Sequence, residues 1–322
     1  MLTVDFPDEN VLGIEAAVED CAQKLASKAS AESLAADPYW PKWDSPWWHM
    51  SLLWELGMHD RIPAEAVERM TQALNRHYLP VFPFEIADVP AHLDPQRAIM
   101  CHCGAAIIYQ ILRACGVDVE ASVPWIRPWF TRYQLPDGGF NCDEAAYVKA
   151  QPRSSVVSTL PVLEALLFAT PALSVEEEQC LDRGAQYLIR RRLCRSVSRG
   201  GDLIDANWLS PVFPRFYQYD VLRGLRVLAA WARRRGCGLP GEAVEESMNH
   251  LGDHIRSGRA ARDPSASCLT LFCVDGRWER GRPSTSFPLL DATRGRNGGL
   301  QRAWNETVTL LRTVLPAPSS TP

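Results

Sequence analysis

The chain has few strand signals, little net charge and no long apolar run. No stretch of about 18 apolar residues occurs, which argues against a membrane-spanning helix. The opening residues, Met1-Leu2-Thr3-Val4-Asp5-Phe6, lack a basic start followed by an apolar segment, so no secretory signal is expected. A formal net charge of −4 and a pI near 6.0 give no general attraction to nucleic acid or to an anionic membrane. The sequence also lacks the glycine-rich lysine loop of nucleotide hydrolases and the Gly-x-Gly-x-x-Gly turn of dinucleotide enzymes. Gly-x-Ser-x-Gly and His-Glu-x-x-His are absent as well, which removes serine hydrolysis and helix-borne zinc proteolysis as first readings.

What is present is helical periodicity punctuated by proline and glycine. The spacing predicts helices over Val11–Lys28, Pro46–Leu56 (stopped by Gly57), Pro63–Tyr78, Arg97–Cys115, Pro124–Tyr133 and Ser154–Ala169. Further runs span Val175–Leu193, Pro214–Arg235, Ala243–Arg256 and Leu300–Leu315. Pro161 should kink the run that contains it. Only Cys268–Val274 has a β-like pattern. Residues 1–315 read as one domain and 316–322, rich in Pro and Ser, as a disordered tail. Ten cysteines without a leader segment suggest reduced thiols in a cytoplasmic setting.

Three glycine turns recur between helices: Asp137-Gly138-Gly139-Phe140, Arg199-Gly200-Gly201-Asp202 and Asp275-Gly276-Arg277-Trp278. Helices with a charged face (Glu65–Arg76, Glu176–Arg192, Glu242–Arg256) alternate with runs that are apolar nearly all round (Ala98–Leu112, Val156–Leu167, Val221–Ala232). A helix apolar on every side must be enclosed on every side. The pattern predicts an all-α fold, an α/α toroid of about five helical hairpins, with apolar helices inside, amphipathic ones outside and the glycine loops at one mouth. The apolar runs start near Pro46, Arg97, Arg153, Pro214 and Phe287, at intervals of 51 to 73 residues, too uneven for a regular solenoid.

On these residues the chain resembles the terpene cyclase and protein prenyltransferase superfamily. Asp137-Gly138-Gly139-Phe140 followed by Ser154-Ser155-Val156-Val157-Ser158-Thr159-Leu160 carries the resemblance best, with Phe216-Tyr217-Gln218-Tyr219-Asp220 a second match. It implies an α/α toroid, and an enzyme of secondary metabolism acting on a small apolar or isoprenoid-like metabolite in a central cavity. The Asp-x-Asp-Asp acid motif of class II cyclases is absent, and where prenyltransferases place a zinc-binding His this chain has Gln218. Cys101-His102-Cys103-Gly104 is similar to the Cys-His-Gly zinc element of lanthionine cyclases. Zinc is therefore the cofactor the resemblance suggests.

If the inner helices begin at one mouth, their starts converge. Asp220 is the preferred acid or base, since a carboxylate on an apolar helix start is costly unless paired or used. Asp143, His49 and Tyr219 are further catalytic candidates. Trp47, Trp48, Trp129, Phe140 and Tyr217 are candidate lining for a substrate cavity. Cys101, His102 and Cys103 are the candidate metal ligands. Successive helical residues point about 100° apart, so all three cannot face one ion unless the helix has not yet begun there. A site would take one or two of them and add His49, Cys142 or Asp220. Arg190-Arg191-Arg192, with Arg195 and Arg199, is a candidate diphosphate grip. A non-catalytic scaffold with a filled interior is the remaining alternative.

Overall fold

A computed structural model describes residues 14–81, 99–257, 261–263, 270–274, 277–281, 287–293 and 298–315. The described chain is mostly helical. Helices α1 (Glu15–Ala26) and α2 (Lys28–Ala36) replace the single run expected to end at Lys28, because Ser27 is extended and its hydroxyl accepts from the Ser30 amide to start a new helix. Helix α3 (Pro46–Glu55) opens on a proline, is almost wholly buried and is followed by Gly57 at φ +76°. Then come α4 (Ala64–His77), α5 (His102–Ala114), the short α6 (Val119–Ser122) and α7 (Ile126–Arg132). Helix α8 (Val156–Glu164) runs through Pro161 and gives way to a π turn over Ala165–Ala169. After it come α9 (Val175–Arg190), α10 (Val221–Arg235) and α11 (Gly241–Arg256).

The β-like stretch forms β1 (Thr270–Val274), paired antiparallel with β2 (Arg277–Gly281) in a two-stranded sheet. A short α12 (Pro288–Thr293) and a long α13 (Gly298–Val314) complete the described chain. The expected start at Val11, the Asp275-Gly276 part of the third turn, residues 283–286 and 294–297, and the tail 316–322 lie outside the described residues.

The expected alternation of faces is visible in the packing. α5, α8 and α10 bury most of their residues, whereas α4, α9 and α11 bury one face. The buried helices lie side by side in chain order, α3 on α5, α5 on α8 and α8 on α10, and α10 also packs on α13, which buries one face. The half-exposed ones cover them, with α7 on α5 and α9, α9 on α8 and α10, and α11 on α9 and α10. Arg302 of α13 donates to the Leu56 carbonyl at the end of α3 (3.0 Å).

Two expected helix starts are corrected. Residues 99–101 are not helical, so the run expected from Arg97 begins only at His102, with Cys101 extended as its N-cap. Residues 214–220 are not helical; α10 begins at Val221, after Phe216 adopts φ +50°. Two carboxylates hold this irregular approach. Glu55 accepts from the Arg215 amide (2.6 Å) and the Phe216 amide, and Asp220 accepts from the Val212 amide (2.9 Å).

Candidate metal centre

The glycine turn fixes the first wall of the site. Gly138 sits at φ +98°, where a Cβ would meet the Arg183 carbonyl oxygen, and a Cβ on Gly139 would stand 2.7 Å from that of Ser154. The Asp137 carboxylate accepts from the Ser154 amide (3.1 Å) and hydroxyl, so the turn is tied to the approach to α8. Phe140 then pairs with Ser155 in a single antiparallel bridge, its amide donating to Thr159 Oγ1 (2.9 Å). Two residues on, the Cys142 amide donates to Ser158 Oγ (3.0 Å). This zipper lays Cys142 against the first turn of α8, which packs on α5.

The second wall is the start of α5. Cys101 is its N-cap, extended at φ −68° and ψ 149°, and Cys103 lies just inside the helix. Because the backbone changes conformation between them, the two side chains turn toward each other, which a regular helix would forbid at this spacing. Their Sγ atoms are 3.2 Å apart, and Cys142 Sγ is 3.4 Å from Cys103 Sγ. All three sulfurs lie within 4.8 Å of one another. Cys103 is buried, while Cys101 and Cys142 are partly exposed as residues.

The charge distribution within the group follows from its hydrogen bonds. Cys101 and Cys103 Sγ are in hydrogen-bond contact and the Cys142 thiol donates to Cys103 Sγ; the contacts with Cys103 and then Cys142 hold the Cys101 pKa well below the ordinary thiol value against the opposing effect of burial. The Gly104 amide at the helix N-terminus (3.4 Å) adds to this. The contact with Cys101, together with burial, pushes Cys103 and Cys142 up.

Three sulfurs so placed lie close enough to hold a metal ion. Tetrahedral zinc, with Zn–S of about 2.3 Å, needs sulfurs about 3.8 Å apart, a few tenths of an ångström beyond the two shorter separations. Among the described residues no His, Asp or Glu joins the group. An all-sulfur donor set suits a soft or borderline ion rather than Mg²⁺ or Ca²⁺.

His102 does not belong to this group, and the expectation that it might is corrected by the helical rotation that carries its ring away. Its Nε2 lies 3.0 Å from the Tyr147 hydroxyl, and its ring packs among Trp129, Tyr133, Phe140 and Tyr147. Burial lowers its pKa to about 3, so it is neutral. His49 lies elsewhere too. Its Nδ1 is 3.4 Å from Cys21 Sγ and its ring faces Phe287 at 3.9 Å, which puts it between α1, α3 and α12.

The remaining candidates have structural partners. Asp220 is fully buried and caps α10, its second oxygen accepting from the Arg223 amide (2.8 Å), so its carboxylate is held by backbone amides rather than by Arg215 or Arg223 side chains. Asp143 is exposed and caps a short 3₁₀ turn through the Ala145 amide (3.1 Å). The Tyr219 hydroxyl donates to the Leu193 carbonyl (2.8 Å) and its ring lies against Trp208.

The aromatic residues form two separate packs. Trp47 and Trp48 contact Tyr39, and Trp48 also contacts Trp43 and Phe216. Trp129 and Phe140 surround His102. Tyr217 is half-buried and accepts from Lys42 Nζ (2.9 Å). Of the basic run, Arg191 faces Asp137, Arg192 faces Glu242 and Arg195 faces Glu246, while Arg190 and Arg199 donate to carbonyls. These arginines serve internal contacts.

Sequence reasoning named Cys142 as one addition among three, but gave no role to Ser158, Thr159 or Tyr147, which position it. The repeated Ser and Thr at the start of α8 were the available signal. No family model, no curated protein and no solved structure matches the chain.

Proposed function

We propose that the protein is a zinc-dependent enzyme built on an α/α toroid, with Cys101, Cys103 and Cys142 as protein ligands. The convergence of three thiols from two segments 39 residues apart carries the reading. Buried structural sites usually supply four protein ligands, whereas three leave a position for water or substrate. The ion would supply Lewis acidity to that group. Cys101, whose pKa is lowered and whose sulfur accepts from the Gly104 amide, would be the first ligand to bind. Ser158, through the Cys142 amide, would hold the third in place. The toroid reading draws on the chain-order packing of α3, α5, α8, α10 and α13 and on the bond from Arg302 back to Leu56.

The acid–base reading centred on Asp220 and Asp143 draws less support, since both carboxylates are engaged as caps. A small apolar metabolite remains the substrate class suggested by the resemblance. It would approach from the side of Cys101 and Cys142, because the Trp47–Trp48 and Trp129–Phe140 packs are closed on themselves.

The test is metal analysis of protein purified without added zinc. About one equivalent is expected, falling several-fold in Cys142→Ser, with a cobalt-substituted sample showing sulfur-to-cobalt charge transfer. Less than about a tenth of an equivalent in the wild type, together with failure to take up cobalt, would leave the scaffold reading in its place.

A further inference from the structure

Away from the cysteines, the π turn, α10 and α13 border a groove of about 420 Å³ lined by Phe168, Arg226, Arg233, Glu306, Thr309 and Leu310. Volumes of a few hundred Å³ are typical of small-ligand sites. Arg226 and Arg233 are seven residues apart on α10, two turns along one face. Arg234 and Arg235, next to Arg233, face Glu178 and Asp182 on α9. Among the described residues Arg233 has no carboxylate partner.

Arg226 has one partner, Glu306 at 3.0 Å, which is itself half-exposed. Its guanidinium stacks 4.1 Å over the Phe168 ring, and its Nε is buried without a hydrogen bond among the described residues. Burial pulls its pKa down against the effect of Glu306, which marks a charge only partly compensated. Two guanidinium groups against one carboxylate leave one positive charge in the groove. Phe168, 39% exposed, and Leu310 leave apolar surface beside it.

We propose that this groove binds a small amphipathic monocarboxylate, its headgroup between Arg226 and Arg233 and its apolar chain along Phe168 and Leu310. A planar carboxylate matches the guanidinium fork, and one negative charge matches the one left uncompensated. The site is independent of the cysteine group and of any metal there.

The test is calorimetric titration of the full chain with decanoate at low ionic strength. Saturable binding at one site per chain is expected, with decanol and decyltrimethylammonium at least tenfold weaker. Arg233→Gln, a change in the last turn of α10, should weaken decanoate at least tenfold without moving the melting temperature, and Arg226→Gln should do the same or more. No saturable decanoate binding, decanol of equal affinity, or an Arg233→Gln protein that binds decanoate like the wild type would each overturn the proposal.

Discussion

At the scale of single residues, the sequence announced which side chains are chemically unusual more clearly than what each one touches. Cys101 and Cys103 stood out because Cys101-His102-Cys103 offers two thiols and an imidazole within three residues, and the two thiols do meet in the structure. Their neighbour His102 could not be separated from them by spacing alone, since the outcome turns on where the helix begins, a matter of one backbone torsion at Cys101. His49 teaches the converse lesson. Burial, and secondarily the nearby Lys24 charge, holds its pKa well below the ordinary histidine value. The unfolded chain protonates that imidazole near pH 6.5 while the folded one does not. Stability from this residue is therefore complete above about pH 6.5 and declines as pH falls, by up to about 1.4 kcal/mol per pH unit. His49→Phe keeps a ring against Phe287 and removes the titration. In chemical denaturation at pH 7 and pH 5, the variant should lose about 1–2 kcal/mol less than the wild type between the two. Parallel losses would mean that His49 is protonated in the folded protein.

At the scale of elements, helix existence was legible and helix boundaries were less so, for reasons that can be named. Pro46, Gly57 and Gly116 mark ends because their own backbone preferences decide the matter locally. Pro214 misled. It can open a helix, but here the carboxylates of Glu55 and Asp220 capture amides of residues 212–216 and hold the chain out of helical conformation until Val221. Glu55 is distant in sequence, so nothing local could have shown it. Asp220 was singled out correctly as a costly buried carboxylate, yet the signal for its role was its place directly before an apolar helical run, where Asp is a favoured cap. Replacing it with Ala should remove the α10 cap and strand the buried Val212 amide, a loss of about 2–4 kcal/mol from the two effects together. Asp220→Asn, which keeps one acceptor, should fall between. Thermal or urea unfolding checks both. An Asn variant as stable as the wild type but inactive in turnover would instead assign Asp220 to chemistry.

At the scale of the whole molecule, the apolar alternation of helices foretold which helices bury most of their residues and which bury one face, because hydrophobic faces are additive and need no partner identity. It did not foretell the polar junction at which the core is locked. Arg223 on α10 and Glu164 on α8 are 3% and 4% exposed and form a two-pronged pair, 2.8 and 2.6 Å long. The same guanidinium donates to the Phe216 carbonyl (3.0 Å) and the Gln218 carbonyl (2.7 Å). Glu55 at the end of α3 binds the amides of Arg215 and Phe216 in the same segment. Three buried helices and the loop before α10 therefore share one set of bonds, and sequence separation hid all of it. A buried pair of this kind adds little net stability over an apolar packing, but breaking it leaves an uncompensated charge in the core. Glu164→Ala should accordingly cost about 3–5 kcal/mol, and Arg223→Met a comparable amount through the stranded carboxylate. The double variant should be less destabilised than the sum of the two by about 1–3 kcal/mol, since it removes both charges at once. Denaturation of the four proteins decides the matter. If the single losses simply add, the pair is not the lock of this core, and the loop carbonyls held by Arg223 must supply the rigidity instead.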